Sequence, residues 1–285
     1  MKFFKYILIL VLFLSCSRMF AKQVTSYVDF CPKPPYETAG TFSRGLQSVS
    51  GMNFVARNVA EATLKKEISK FVQGDIKVKA GSFSATDAKK GKFRYFTLHG
   101  QNLKAFDIFV SELNLKTICD FIHLDLTSTP VKLLEPMVIE FNAKITKEDL
   151  NNIIKTTKYR KHFMQLKFKD KETQLLELSN PRITTEDNKF NFLVNAKLPF
   201  IRSFILAAHA DLEIIDNRIV FNNLIIGTGS VKINISPLKY FINLINPLEF
   251  ALGIIEDKGC MLNLKTVKIE NGTIILDGVA FLKKS

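Results

Sequence analysis

The sequence predicts an α+β fold dominated by a large antiparallel β-sheet with one apolar face. Three observations carry that expectation. Lys189–Leu198 places Phe190, Phe192, Val194, Ala196 and Leu198 on one side of a strand and Lys189, Asn191, Asn195 and Lys197 mainly on the other. The same period of two returns at Val138–Ile145 and at Phe204–Ile214. Finally, Glu270-Asn271-Gly272 stands between Met261–Ile269 and Thr273–Leu282, and Asn-Gly between alternating strands is a strong short hairpin signal. One-faced strands need a cover, and the chain offers few helices to supply it.

Taken in order, Met1–Ala21 reads as an export signal, with Lys2 and Lys5 as its charged start and Ile7–Leu14 as an apolar stretch too short to span a bilayer. Two endings compete. Leu14-Ser15-Cys16 resembles the close of a bacterial lipoprotein signal, which would lipidate Cys16; cleavage after Ala21 is the rival. Residues 22–50, with Cys31-Pro32-Lys33-Pro34-Pro35 and then Gly40, Ser43 and Gly45, read as a linker, leaving 51–285 as one domain.

A helix is predicted over Met52–Val72, capped by Ser48 or Ser50, striped by Ala56, Ala60, Leu64, Ile68 and Phe71, and ended by Gly74. Strands are expected near Asp75–Ser84, Lys92–His99, Leu103–Val110 and Leu113–Thr117, while Cys119–Pro136 stays undecided. Val138–Ile145 runs into Thr146, a helix cap with Asp149 at the capping-box position. Val231–Ile235 runs likewise into Ser236-Pro237, so strand, cap and helix recur as a weak repeat. Asn246-Pro247 should split the apolar region Pro237–Ile255 into two short helices, an apolar flap with a few polar points. A further hairpin fits Phe204–Ile214 and Ile219–Ile226 around Asp216-Asn217.

Composition narrows the chemistry. At 285 residues and 47% hydrophobic content the chain can bury a substantial core. With Cys16 lipidated or removed, Cys31, Cys119 and Cys260 remain, which allows at most one intramolecular disulfide and does not say which pair forms it. No CxxC occurs and His99, His123, His162 and His209 are scattered, so neither a metal nor a cofactor is expected. There is no GxSxG elbow, and alternation turns His209, Asp211 and Glu213 away from the apolar side, so no catalytic residue is assigned. The net charge of +13, on an exported chain, points to anionic lipid head groups or wall polymers and not to nucleic acid, although a Lys-, Asn-, Ile- and Phe-rich composition also follows from codon bias.

Basic residues cluster with aromatic ones at Lys155, Lys158, Tyr159, Arg160, Lys161 and Phe163. That mixture suits docking on an anionic membrane, and equally a solvated helix end.

The order of elements resembles the LmeA-like phospholipid-binding family of bacterial envelope proteins, whose architecture is similar to that of tubular lipid-binding (TULIP, BPI-like) proteins. The carriers are the long helix closing in Gly74-Asp75-Ile76-Lys77-Val78, the Ile145-Thr146-x-Glu148-Asp149-Leu150 junction, and the ending from Val267 to Gly278. The resemblance implies a highly curved antiparallel sheet wrapped around the long N-terminal helix as a tube, with one or two shorter later helices. It implies a non-enzymatic binder of phospholipid or another acyl lipid in the periplasm or at the envelope membranes. The strand pattern then nominates Phe190, Phe192, Val194, Leu198, Phe204, Leu206 and Leu212 as the lining of an apolar groove, against the alternative that they pack on each other and on the helix. The rival function is a structural or assembly envelope lipoprotein with a fully packed sheet that binds anionic polymer or protein.

Overall fold

In the computed structural model the described residues are 31, 36–49, 52–128, 131–165, 169–170, 173–174, 177–197, 203–228, 231–233, 243, 245–257 and 260–284. The expected export signal, Cys16, Leu198 and the expected Ser236-Pro237 cap lie outside them, as do the side chains of Phe163 and Phe204.

The chain runs α1 (Thr41–Val49), α2 (Met52–Ile68), β1 (Val72–Gly81), α3 (Ala85–Lys89), β2 (Lys92–Phe93), β3 (Tyr95–Ala105), β4 (Ile108–Thr117), β5 (Ile122–Asp125), β6 (Lys132–Leu133) and β7 (Met137–Thr146). It continues through α4 (Lys147–Lys155), α5 (Thr157–Gln165), β8 (Lys169–Asp170), β9 (Thr173–Gln174), β10 (Glu177–Thr184), β11 (Phe190–Lys197), β12 (Phe204–Ile215), β13 (Arg218–Thr228) and β14 (Val231–Ile233). It ends with α6 (Pro247–Glu256), β15 (Met261–Glu270) and β16 (Thr273–Leu282). The fold is α+β and mostly antiparallel.

Two main sheets form instead of one. The first has six strands in the order β1-β3-β4-β7-β16-β15, and the second has five in the order β10-β11-β12-β13-β14. Register explains how the first sheet keeps a continuous apolar face: Val78 pairs with Leu98, Leu98 with Leu115, Leu115 with Phe141, and Phe141 with Gly278. Gly278 is required there, because a Cβ would stand 2.5 Å from the Phe141 ring. The opposite face of the same strands carries Lys77, His99, Asn114, Asn142 and Asp277, as alternation demands.

One core runs through both sheets. It takes Phe141, Ala143, Ile145 and Leu276 from the first, Ile183, Phe190, Phe192 and Phe221 from the second, and Leu150, Ile153 and Ile154 of α4 with Leu248 and Ala251 of α6 between them. The capping box at Thr146 forms as expected: its hydroxyl accepts from the Asp149 amide and Asp149 accepts from the Thr146 amide. Asn246 likewise caps α6 through the Leu248 amide, with Pro247 at the first helical position.

Asparagine side chains close sheet edges. Asn151 of α4 accepts from Ile183 N at 3.1 Å and donates to Ile183 O at 2.8 Å on edge strand β10. Asn217, at the tip of the β12–β13 hairpin, donates to Leu262 O at 2.6 Å and accepts from Leu264 N at 2.7 Å on edge strand β15. Where β13 outruns β14, Asn243 accepts from Phe221 N, Asn246 donates to Ile219 O and Glu249 accepts from Ile219 N. The polar points of the flap are therefore a substitute strand that satisfies an open ladder.

Four expectations are corrected. α2 stops at Ile68, because Ser69–Phe71 turn back and Val72 already pairs with Ala105 in the sheet. Gly74 is a β-bulge and not a helix cap; at φ +127° it passes so close to Asn102 that a Cβ would lie 2.6 Å from its carbonyl oxygen. The expected strand at Leu103–Val110 is a hairpin tip, hidden in the sequence because Phe106, at φ +57°, holds a turn position where Gly or Asn is usual. And the linker contains α1 and is tied down by a Cys31–Cys119 disulfide, 88 residues apart in sequence.

Candidate functional site

α2 is the least buried long element of the described structure. None of its residues is fully buried, and it meets the domain through the half-buried stripe of Ala56, Ala60 and Leu64. Two side-chain hydrogen bonds hold it to its bed: Asn53 accepts from Ala85 N at 2.8 Å, and Glu61 accepts from Ala80 N at 3.0 Å. Alanines make a shallow contact, and the space they leave is open.

That space is a track of two grooves along the helix. The larger, about 430 Å³, lies beneath Met52, Val55, Ala56, Val59, Ala60, Thr63 and Leu64 and is floored by Ala85, Ala88, Phe93 and Leu126; Lys89 is its sole charged lining residue. The smaller, about 100 Å³, starts at the same Leu64 and continues under Ile68 between Val78, Phe96, Leu98, Leu115, Ile139 and Leu133. Its charged rim is Glu67, Lys116 and Lys132. At 17 residues α2 is roughly 25 Å long, so the track runs along one rod-like roof with Leu64 between its chambers.

The floor is fixed from the other side by the strap that the disulfide anchors. Tyr36 donates to Phe93 O at 3.3 Å and to Ile122 O at 3.2 Å, and burial, with the Asp87 carboxylate nearby, pushes its hydroxyl pKa up to about 12. The buried Asp87 accepts from Ala39 N at 3.1 Å and from the Ser84 hydroxyl at 2.6 Å. Gln47 of α1 bonds Thr86 through both ends of its amide. Strap, α3 and α1 thus form one bonded layer under the N-terminal half of α2.

The residues nominated from the sequence lie elsewhere. Phe190, Phe192 and Val194 do share one face, but at 1%, 3% and 3% exposure they are core, with the Phe190 and Phe221 rings 4.7 Å apart. Leu206 and Leu212 are half-buried beside them, and Phe204 contributes backbone pairing with Ala196. None of the five nominated residues whose side chains are described lines either groove. Alternation determines which face a strand residue takes and not what covers that face; here α4 and α6 cover it.

The basic aromatic segment is corrected too. Tyr159 is fully buried, its hydroxyl donates to Ile245 O, and its ring meets Phe250 edge-on at 5.2 Å, so it cannot enter a membrane interface. Burial pushes its pKa up. Lys158 pairs with Asp107 at 3.2 Å, while Lys155, Arg160 and Lys161 are exposed. His209, Asp211 and Glu213 lie on the outer face of the second sheet, where Asp211 is engaged by Lys189 and Asn223 and held below the ordinary carboxylate range by those bonds.

Among the described residues no group of three or more His, Cys, Asp or Glu comes together to hold a metal ion, and no helix is long and apolar enough to cross a membrane. Comparison with protein-family models, with curated proteins and with solved structures finds no match. The function has to be argued from the groove itself. Its floor at Ala85, Ala88 and Leu126 was missed in the sequence; the available signal was the alanine stripe of α2, too small to fill the space over a sheet.

Proposed function

We propose that the protein is a non-enzymatic, exported lipid-binding protein that holds acyl chain in the track beneath α2. The observation that carries this reading is an open, almost wholly apolar groove of about 430 Å³ in a domain whose second sheet buries Phe190, Phe192 and Val194 in the core. That volume lies within the range of roughly 300–1,000 Å³ usual for small-molecule sites. A two-chain lipid exposes about 30 methylenes to water at roughly 0.8 kcal/mol each, near 24 kcal/mol, so even a partial apolar sheath lowers the barrier to moving one.

In this reading the grooves are the accessible part of the lipid tube that the LmeA-like resemblance implies. The Cys31–Cys119 disulfide supports an oxidising compartment outside the cytoplasm. The packed second sheet favours the rival reading, a structural or assembly protein, for that half of the molecule alone.

The test is organic extraction of the purified protein followed by lipid mass spectrometry, on the wild type and on Leu126→Trp, which fills the groove from its floor without adding charge. Wild type carrying stoichiometric lipid and a folded Leu126→Trp carrying little is the expected pair of results. An empty wild type that also fails to take up added phospholipid would sink the proposal.

A further inference from the structure

α2 carries more apolar surface than its bed uses. Ala56, Ala60 and Leu64 face the domain, yet the adjacent stripe of Met52, Val55 and Val59 is 50%, 62% and 60% exposed. These three stripe residues also line the larger groove, so the exposed stripe is the rim of its mouth. The next position seven residues on from Val59 is Lys66, next to Lys65, both exposed. The acidic residues of the helix are engaged elsewhere: Glu61 accepts from Ala80 N and lies 4.0 Å from Arg57, and Glu67 pairs with Lys70.

We infer that this face of α2 docks on an anionic bilayer and that the chain enters the groove directly from the membrane through the rim of Met52, Val55 and Val59. The occupant follows from size and charge. Three side chains on one helix fall far short of the roughly 1,200–2,000 Å² that a stable protein pair buries, whereas a bilayer interface accepts a short apolar stripe flanked by cations. The combination of apolar insertion with Lys65 and Lys66 matches anionic head groups over a hydrocarbon layer. The inference deepens the lipid reading by naming the donor surface, and rests on that reading for the cargo.

The chain has no tryptophan, so Met52→Trp supplies a single emitter at this face. On full-length protein, its emission should shift to the blue with vesicles of equal parts phosphatidylcholine and phosphatidylglycerol, and less with phosphatidylcholine alone. Val55→Ser/Val59→Ser changes exposed side chains only, and its melting profile checks that the fold is kept. Losing two aliphatic side chains from the interface should weaken flotation with the anionic vesicles roughly ten- to hundred-fold. Raising salt from 0.1 M to 1 M, which shortens the Debye length from about 10 Å to about 3 Å, should remove the anionic preference but not the valine effect. The inference is overturned if the Met52→Trp emission does not move, if it moves without vesicles as protein concentration rises, which is a second copy on this face, or if Lys161→Trp responds instead. Lipid extracted from the protein with both valines intact separates the two ideas: cargo present with failed docking ends this inference alone, and docking with no cargo ends the lipid reading.

Discussion

The two main sheets have the same kind of apolar face and end differently. In the five-stranded sheet the face bearing Phe190, Phe192 and Val194 is closed by α4 and α6, whose contact residues are Leu150, Ile153, Ile154 and Leu248. In the six-stranded sheet the face beside β1 and β3 is roofed by α2, whose contact residues are two alanines and one leucine. Bulky roofing makes core; small roofing leaves a cavity. The strand pattern is blind to this difference, because both faces alternate equally well.

Deleting core from the closed sheet should have the largest effect. Phe192→Ala is expected to cost about 3–5 kcal/mol in denaturant unfolding. An effect below about 1 kcal/mol would mean that this face is loosely filled, and the contrast would collapse. Removing the strap by Cys31→Ser/Cys119→Ser should cost about 2–4 kcal/mol, and amide exchange should rise in α1, α3 and α2 before it rises in β11. Uniform loss of protection would show that the roofed half is not a separate unit of stability.

Asn217→Ala deletes both hydrogen bonds to β15 and strands the Leu264 amide, an expected loss of about 1–3 kcal/mol. Leu126→Trp should change stability by less than about 1 kcal/mol while cutting bound lipid, since it fills open space and not packed core. Val194→Trp should do the reverse, destabilising by about 1–3 kcal/mol through overpacking. Equal stability of the two tryptophan variants would erase the distinction between groove and core.

The smallest expected effect is a pH dependence at Glu249. Burial pushes its carboxyl up, against the Ile219 amide that stabilises the charged form. A carboxyl raised in the folded state binds more protons folded than unfolded. Its contribution to stability is therefore present at low pH and is lost as pH climbs from the ordinary glutamate range through the raised value. Glu249→Gln should remove that slope, so the stability gap between variant and wild type should move in favour of the variant as pH rises from 4 to 7. A gap that is flat with pH would show that the Ile219 bond cancels the burial.

Much of the fold was legible, and for local reasons. The Thr146 capping box, the Asn246-Pro247 helix start, the Asn271-Gly272 turn and the Asp216-Asn217 hairpin are decided by residues within a few positions of one another. What stayed hidden is set at a distance or by exception. The Phe106 turn breaks residue preference, and the division into two sheets depends on which strands pair across more than a hundred residues, as β7 does with β16. The site fared similarly. Its roof was visible as the stripe Ala56, Ala60 and Leu64, but its floor comes from a short helix and loop whose only sequence mark is a few apolar residues, and the strongest strand in the chain drew attention to the half of the molecule that is full.

The asparagine edge closures have a consequence for how the protein meets changing surroundings. A side-chain amide offers a donor and an acceptor at the spacing of a peptide group, so Asn151 and Asn217 each complete a stretch of ladder without bringing a charge to it. Closures made of lysine or glutamate weaken as electrolyte rises or as protons are gained and lost. Neutral ones do not. In a chain this basic, surface charges can be screened or titrated while the closures at β10 and β15 stay in place against stray strands.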